Sequence, residues 1–310
     1  MRKAALQFGI VDKPDGNLKK HTEPIPYLGG IAIYLAFLLA LAFSFEFNQE
    51  VLGILLAGTI VLLLGLIDDL GFLKPSVKFA GQLVAVLVMI KTGIFIKLIF
   101  IPIYVSIPLT IIWLVGMTNA FNIIDVMDGL AVGVAFFASL AFFIVAVLNG
   151  KIMIAIVTIT LAGSLLGFLR YNFNPARIYM GDAGSMFLGL MIGALAMIGS
   201  YTEQNVLGFL SPLVILGVPL FDTFLVMYIR WRKGISVFHG SNDHYALRLT
   251  AAGLSIKGVV WLSYGVAIIL GGAGLLVMRM SSLSHVAALI GLLGIAGLVA
   301  IFLLHKVEVK

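Results

Sequence analysis

Residues 130–148 read LAVGVAFFASLAFFIVAVL, nineteen positions without a charged side chain. A helix of about 20 apolar residues crosses the hydrocarbon core of a bilayer, where unpaired backbone groups find no water, so such a run is read as a transmembrane helix. It is not alone. Charges or turn residues separate further helix-length apolar stretches, and the sequence predicts ten spans at 27–45, 51–67, 77–92, 106–124, 130–148, 152–170, 184–201, 206–229, 258–278 and 284–304. The predicted fold is therefore all-α, a polytopic membrane helix bundle of about ten transmembrane helices forming a single integral membrane domain over residues 1–310.

Composition agrees. Of the 310 residues 61% are hydrophobic and 11% charged, and the mean hydropathy is +1.14, which leaves no room for a large water-soluble enzyme domain on a single anchor. There is no cysteine, so thiol redox chemistry, disulfides and thiolate zinc sites are excluded. The net charge of +6 reflects orientation in a polytopic chain rather than nucleic-acid binding, and no nucleic-acid partner is expected. The segment 94–105, IFIKLIFIPIYV, is β-branched and broken by proline, and reads as a short hairpin or an irregular excursion at the membrane surface. Residues 1–26 hold no apolar core for a signal peptide and read as a cytoplasmic arm; 230–257 form a large cytoplasmic loop.

If the amino-terminal arm faces the cytoplasm, sixteen Lys and Arg lie on that side, Arg170 and Arg177 among them, against Lys91, Lys97, Lys151 and Arg279 on the other. The chemically rich segments then share the inner face: KKHTEP (19–24), IDDLGFLKPSVK (67–78), NAFNIIDVMDG (119–129), RYNFNPARIYMGDAGS (170–185) and RWRKGISVFHGSNDHYALRL (230–249).

Acids at a helix mouth ask for a partner or a function. Asp68 and Asp69 repel unless a cation lies near, and suit a divalent metal or phosphate chemistry through one; a solvated helix end is the plainer alternative. Asn119, Asn122, Asp125 and Asp128 recur every three residues along one drifting helix stripe, which is either a ligand-facing wall or a hydrated, capped helix end. In Met180-Gly181-Asp182-Ala183-Gly184-Ser185 one carboxylate sits between glycines before a helix, so backbone N–H groups could hold a phosphate while Asp182 holds Mg²⁺, or the motif is an N-cap turn. His244 and Arg248 share a helix face and could bind a diphosphate, while Arg230 to Lys233 read as an orientation anchor and His239 as a plain loop residue. Asp222, in VPLFDT, reads as a packed, hydrogen-bonded structural acid in preference to a support behind the site.

These motifs, in this order from GIVDKPDGNLKKHTEPIPYLGG to SNDHYALRL, resemble the polyprenyl-phosphate N-acetylhexosamine-1-phosphate transferases, nearest the undecaprenyl-phosphate GlcNAc-1-phosphate branch. The resemblance implies transfer of a sugar 1-phosphate from a UDP-N-acetylhexosamine, UDP-GlcNAc first, to undecaprenyl phosphate. The products are UMP and undecaprenyl-diphospho-sugar, in the initiating step of a cell-envelope glycan. It implies Mg²⁺, with Mn²⁺ as a substitute, a multi-pass bacterial inner-membrane protein with its site on the cytoplasmic face, and a homodimer.

Carried over by motif, Asp68, Asp69, Asp125 and Lys78 form the catalytic set, with Asp68 deprotonating or orienting the acceptor and Lys78 supporting the phosphates. Asp182, joined by Asn122, is the expected metal ligand. Asn172, Asp128 and the ring of Tyr179 would hold uracil, Lys20 the nucleotide edge, and Asn119, His244 and Arg248 the rest of the substrate. Direct attack by the lipid phosphate is expected in preference to a covalent intermediate on Asp125. The chain departs from the family pattern at Ala246 and Leu247, where further histidines are expected, and at Val126-Met127, where DGxDG loses a glycine. It also begins almost at the GIVDKP arm, which relatives usually precede with another span. The rival readings are the phospho-MurNAc-pentapeptide translocase and a transporter; acids gathered on one face and the lack of a repeat disfavour transport.

Overall fold

The computed structural model describes residues 1–7, 10–12, 25–43, 48–98, 100–202, 205–236 and 242–309. Among the described residues each predicted stretch contains helix, though 184–201 is helical only to Met197 and 206–229 is divided. In chain order the helices are α1 (Arg2–Gln7), α2 (Gly29–Ala42), α3 (Gln49–Asp69), α4 (Pro75–Lys91), α5 (Ile103–Ile124), α6 (Leu130–Leu148), α7 (Ile152–Asn172) and α8 (Gly181–Met197). They continue with α9 (Ser211–Ile215), α10 (Gly217–Arg232), α11 (Tyr245–Ala251), α12 (Ile256–Arg279) and α13 (Leu283–Leu304).

Six of these are long and apolar enough to cross a membrane: α3, α5, α6, α7, α12 and α13. The predicted span 206–229 is broken instead of continuous. A short 3₁₀ turn at Val206–Leu210 leads into α9, and α10 departs at 74° from that direction, so the two halves make at most one further span. Pro212 and Pro219, with Gly217 between them, lie at the break, where proline withholds an N–H and clashes with the preceding turn. Helices α2 and α8 are apolar but shorter, at 14 and 17 residues. Residues 94–98 and 100–102 are irregular, tied by the N–H of Ile96 to Thr110 Oγ1 at 2.9 Å and by the Ser106 hydroxyl to the carbonyl of Ile96. The all-α expectation misses one detail, a two-stranded antiparallel pair, β1 (Val11–Asp12) with β2 (Ile25–Pro26), in register Val11 to Pro26.

Helix α8 is the hub. It packs against α2, α3, α5 and α6, and is buried on every side from Ala183 to Ala196. Close approach makes this workable: a Cβ at Gly65 of α3 would overlap the backbone of Asp182 and Ala183, so glycine there lets the end of α3 lie directly on the start of α8. At the opposite extreme α13 buries only Val286, as befits a helix surrounded by lipid tails.

Candidate active site

The amino-terminal end of α8 is where the predicted acids meet. Asp68 and Asp69 end α3, Lys78 lies one turn into α4, Asn122 lies near the end of α5, and Asp182 opens α8. Lys78 Nζ sits between two carboxylates, 2.6 Å from Asp68 Oδ2 and 2.5 Å from Asp182 Oδ2. Asn122 Nδ2 donates to Asp182 Oδ1 at 2.9 Å and to Ser185 Oγ at 3.0 Å. Residues from four helices, separated by more than 100 positions in the chain, thus share one cluster.

Asp69 has a different job from its neighbour. Its Oδ1 accepts from the N–H of Asp182 at 2.7 Å and its Oδ2 from the N–H of Ala183 at 3.2 Å, so it caps α8 from another helix. This corrects the expectation that the glycine turn offers those N–H groups to a phosphate: the two donors are already held by a carboxylate. Gly181 makes the cap geometrically feasible. Its φ is +72°, and any Cβ there would meet the Asp69 carboxylate.

Asp125 lies in the turn after α5, outside the helix. Among the described residues its carboxylate has no hydrogen-bond or ion-pair partner. The half-buried side chain is surrounded by protein, and that desolvation, followed by the charges of Asp182, Asp69 and Asp128, pushes its carboxyl up to about 8. Asp68 and Asp182 share the Lys78 ammonium, and Asp69 and Asp125 lie close to Asp182, an excess of carboxyl groups over cations whose crowding a bound cation would relieve.

That excess fits Mg²⁺. Among the described residues no three His, Asp or Glu side chains form a ready-made cage. Mg²⁺ commonly takes one or two carboxylates and completes its shell with water and substrate phosphates. Asp182 has an oxygen facing the cluster; Asn122 presents its amide nitrogen, so serving as a ligand requires the amide to turn over.

Asn119, expected in a substrate role, forms a reciprocal amide pair with Gln82, donating from Nδ2 to Oε1 at 2.9 Å, and also bonds the carbonyl of Val115. Gln82 was not foreseen, although a glutamine four residues after Lys78 in an apolar helix marks the same face.

A second group forms beside the first. Asp128 Oδ2 accepts from Asn174 Nδ2 at 3.0 Å and Ala176 N–H at 2.9 Å, while Asn172 accepts from Gly129 N–H and donates to the carbonyl of Ile178, both at 3.1 Å. Both ends of the Asn172 amide are thereby engaged in holding the loop. Tyr179, half-buried, has its ring 6.2 Å from that of Tyr27. The expected uracil residues Asn172, Asp128 and Tyr179 do fall in one place, with Asp128 Oδ1 left open among the described residues. Lys20 and His239 lie outside the described residues.

His244 and Arg248 are placed differently from each other. His244 Nδ1 lies 2.9 Å from Asp222 Oδ2, and Asp222 Oδ1 accepts from the N–H of Tyr245 at 2.7 Å. Asp222 is thus the packed acid foreseen, with a histidine as its unforeseen partner. Arg248 is 2% exposed and fully committed: to Asp243 Oδ1 at 2.6 Å, to the Asp243 carbonyl at 3.1 Å, and to the carbonyls of Leu304 and Val307 past the end of α13. As a diphosphate ligand it would have to abandon these bonds, so its spacing from His244 was a misleading guide.

Residues 51–200 match the model of glycosyl transferase family 4. The chain is 34% identical over 273 residues to a probable undecaprenyl-phosphate N-acetylglucosaminyl 1-phosphate transferase of Bacillus subtilis, covering 85% of this chain and 76% of that relative. It belongs to glycosyl transferase family 4. Further relatives are a decaprenyl-phosphate N-acetylglucosaminephosphotransferase of Mycolicibacterium smegmatis, 35% identical over 302 residues (85% and 74% covered), and a phospho-N-acetylmuramoyl-pentapeptide-transferase of Streptococcus pneumoniae, 31% identical over 278 residues (81% of each). The glycosyl transferase family 4 match takes in the whole aspartate cluster, from Asp68 to Asp182.

Proposed function

We propose that the chain transfers GlcNAc 1-phosphate from UDP-GlcNAc to undecaprenyl phosphate, releasing UMP, at the cytoplasmic face of a bacterial inner membrane that it crosses about ten times. The observation that carries this reading is the Lys78 ammonium held between Asp68 and Asp182, with Asp125 left without a partner among the described residues. Such a cluster suits a reaction in which two anionic phosphates must be brought together and their charge neutralised. The names of the Bacillus and Mycolicibacterium relatives support the GlcNAc donor over the MurNAc-pentapeptide donor, and the two missing loop histidines at Ala246 and Leu247 point the same way.

In this reading an oxygen of the lipid phosphate attacks the β-phosphorus of UDP-GlcNAc. The bond from that phosphorus to the bridging oxygen breaks, and UMP leaves with the electron pair. Bound Mg²⁺, held by Asp182 and Asn122, would supply Lewis-acid stabilisation of the phosphoryl charge. Asp68 orients the acceptor phosphate or takes its proton, Lys78 lends its charge to the phosphates, and Asp69 fixes Asp182 by capping α8. Asp128, Tyr179 and Lys20 hold the uridine, with Asn172 setting the loop around it.

The test is UMP release by the purified protein with undecaprenyl phosphate and Mg²⁺, offered UDP-GlcNAc, UDP-GalNAc or UDP-MurNAc-pentapeptide in parallel. Lipid- and metal-dependent release with UDP-GlcNAc is expected. Release with the pentapeptide donor alone would move the assignment to the translocase.

A further inference from the structure

A cavity of about 800 Å³ opens between the carboxyl end of α7 and the first turns of α12. Its wall is apolar and aromatic. Leu166 and Leu169 line it from α7, and Phe173, Trp261 and Tyr264 form a run of rings with successive centroids 5.6 and 5.5 Å apart. Two arginines complete the lining, Arg170 in the last turn of α7 and Arg177 in the loop beyond it. Both are exposed, and among the described residues neither guanidinium has a hydrogen-bond or ion-pair partner. Arg2 adds a third positive charge nearby, its Nε donating to the carbonyl of Arg177 at 3.2 Å.

Unpaired guanidinium groups are strong, geometrically specific phosphate donors, and here they rim a cavity whose remaining surface suits hydrocarbon. A soluble anion would leave the aromatic wall unused, and a neutral lipid would leave the arginines unused. We infer that this cavity binds an anionic diacyl phospholipid of the surrounding bilayer, its phosphodiester between Arg170 and Arg177 and an acyl chain along Leu166 and Leu169. The site is separate from the one assigned to the acceptor lipid, because none of Asp68, Asp69, Lys78, Asp125 or Asp182 lines it. It is nevertheless wired to that region. The Tyr264 hydroxyl donates to the carbonyl of Gly129 at 2.6 Å, and the N–H of Gly129 donates to Asn172, so the cavity wall supports the turn that carries Asp128.

The experiment places the full chain in nanodiscs of phosphatidylcholine with or without phosphatidylglycerol, and counts retained lipid by native mass spectrometry after release into detergent. The wild type is expected to keep phosphatidylglycerol in preference to phosphatidylcholine. Each guanidinium removed, in Arg170→Gln and in Arg170→Gln with Arg177→Gln, is expected to lower that preference roughly 5-fold. Both side chains are exposed and have no partner among the described residues, so their loss should not disturb folding. Trp261→Ala keeps both charges but removes part of the wall, and should also lower retention. Arg232→Gln, at an exposed arginine of α10 outside the cavity, should leave the preference intact.

Unchanged preference in the double variant would overturn the site. An equal loss in Arg232→Gln would overturn it too, by reducing the effect to the general charge of the face. Displacement of the bound phosphatidylglycerol by undecaprenyl phosphate would make the cavity an acceptor site, and displacement by inorganic phosphate would make it a plain anion site; either result also contradicts the inference.

Discussion

The Lys78 ammonium lies 2.5 Å from Oδ2 of Asp182, the residue proposed to hold Mg²⁺, so a side chain of the protein itself neutralises the carboxylate that the metal would need. Mg²⁺ bound at Asp182 would compete with Lys78 for that carboxylate and would leave the ammonium free for substrate phosphates, coupling metal binding to phosphate binding in one cluster.

Lys78→Gln should therefore bind divalent metal more tightly than the wild type, by at least about tenfold given the repulsion removed between two cations at this separation. Its turnover should fall by roughly 10²-fold or more, as expected when a charge that stabilises the reacting phosphates is lost. Mn²⁺ titration followed by electron paramagnetic resonance, without substrate, reads the first quantity. Weaker metal binding in the variant would mean that Lys78 organises the aspartates and does not compete with the metal.

Asp69→Asn should act mainly through structure. The variant can accept from only one of the N–H groups of Asp182 and Ala183, because its amide nitrogen is a donor, and it loses the charge that favours a helix amino terminus, at a cost of about 1 kcal/mol. Its thermal inactivation in detergent should come a few degrees earlier, with turnover reduced less than in Asp182→Asn. Equal loss of turnover in the two variants would place Asp69 among the reacting groups.

Asp125 contributes to the pH dependence of stability. Its carboxyl is pushed up to about 8 from the ordinary 3.8, by burial first and then by Asp182, Asp69 and Asp128. Between those values the folded protein holds more protons than the unfolded chain, so in the absence of metal this group's contribution favours folding below the lower value and diminishes as pH rises toward the upper one. Asp125→Asn should flatten that slope, and saturating Mg²⁺ should flatten it in the wild type. Thermal melts across this pH range with chelator present are the check; an unaltered slope in the variant would assign the effect elsewhere.

Arg248→Ala breaks a buried ion pair with Asp243 and strips hydrogen bonds from the end of α13, which should destabilise the fold by about 3 kcal/mol. The expected signature is a lower melting temperature with little change in KM of the protein that remains folded. A raised KM at unchanged stability would restore the phosphate role suggested by the spacing.

The sequence made the helices legible because apolar runs of membrane length admit few alternatives, and charge punctuation located their ends. The Asp68, Asn122 and Asp182 motifs were legible as chemistry, since acids at helix mouths demand partners. Their distribution of labour was not. Nothing local distinguishes Asp68, paired with Lys78, from Asp69, capping α8, because the difference lies in a helix more than 100 residues away. The pairing of Asp222 with His244 likewise spans α10 and the start of α11, and no periodicity announces it. The 74° break was within reach: Pro212, Gly217 and Pro219 stand at it, but a hydropathy pattern averages over such residues.

The most direct test of the proposed reaction follows the β-phosphorus. UDP-GlcNAc labelled with ³²P at that position, incubated with the purified protein, undecaprenyl phosphate and Mg²⁺, should deliver its label to the lipid fraction together with the sugar, leaving unlabelled UMP in water. Label retained in a water-soluble UDP while the sugar moves to lipid would show transfer of the sugar alone, and would contradict the account.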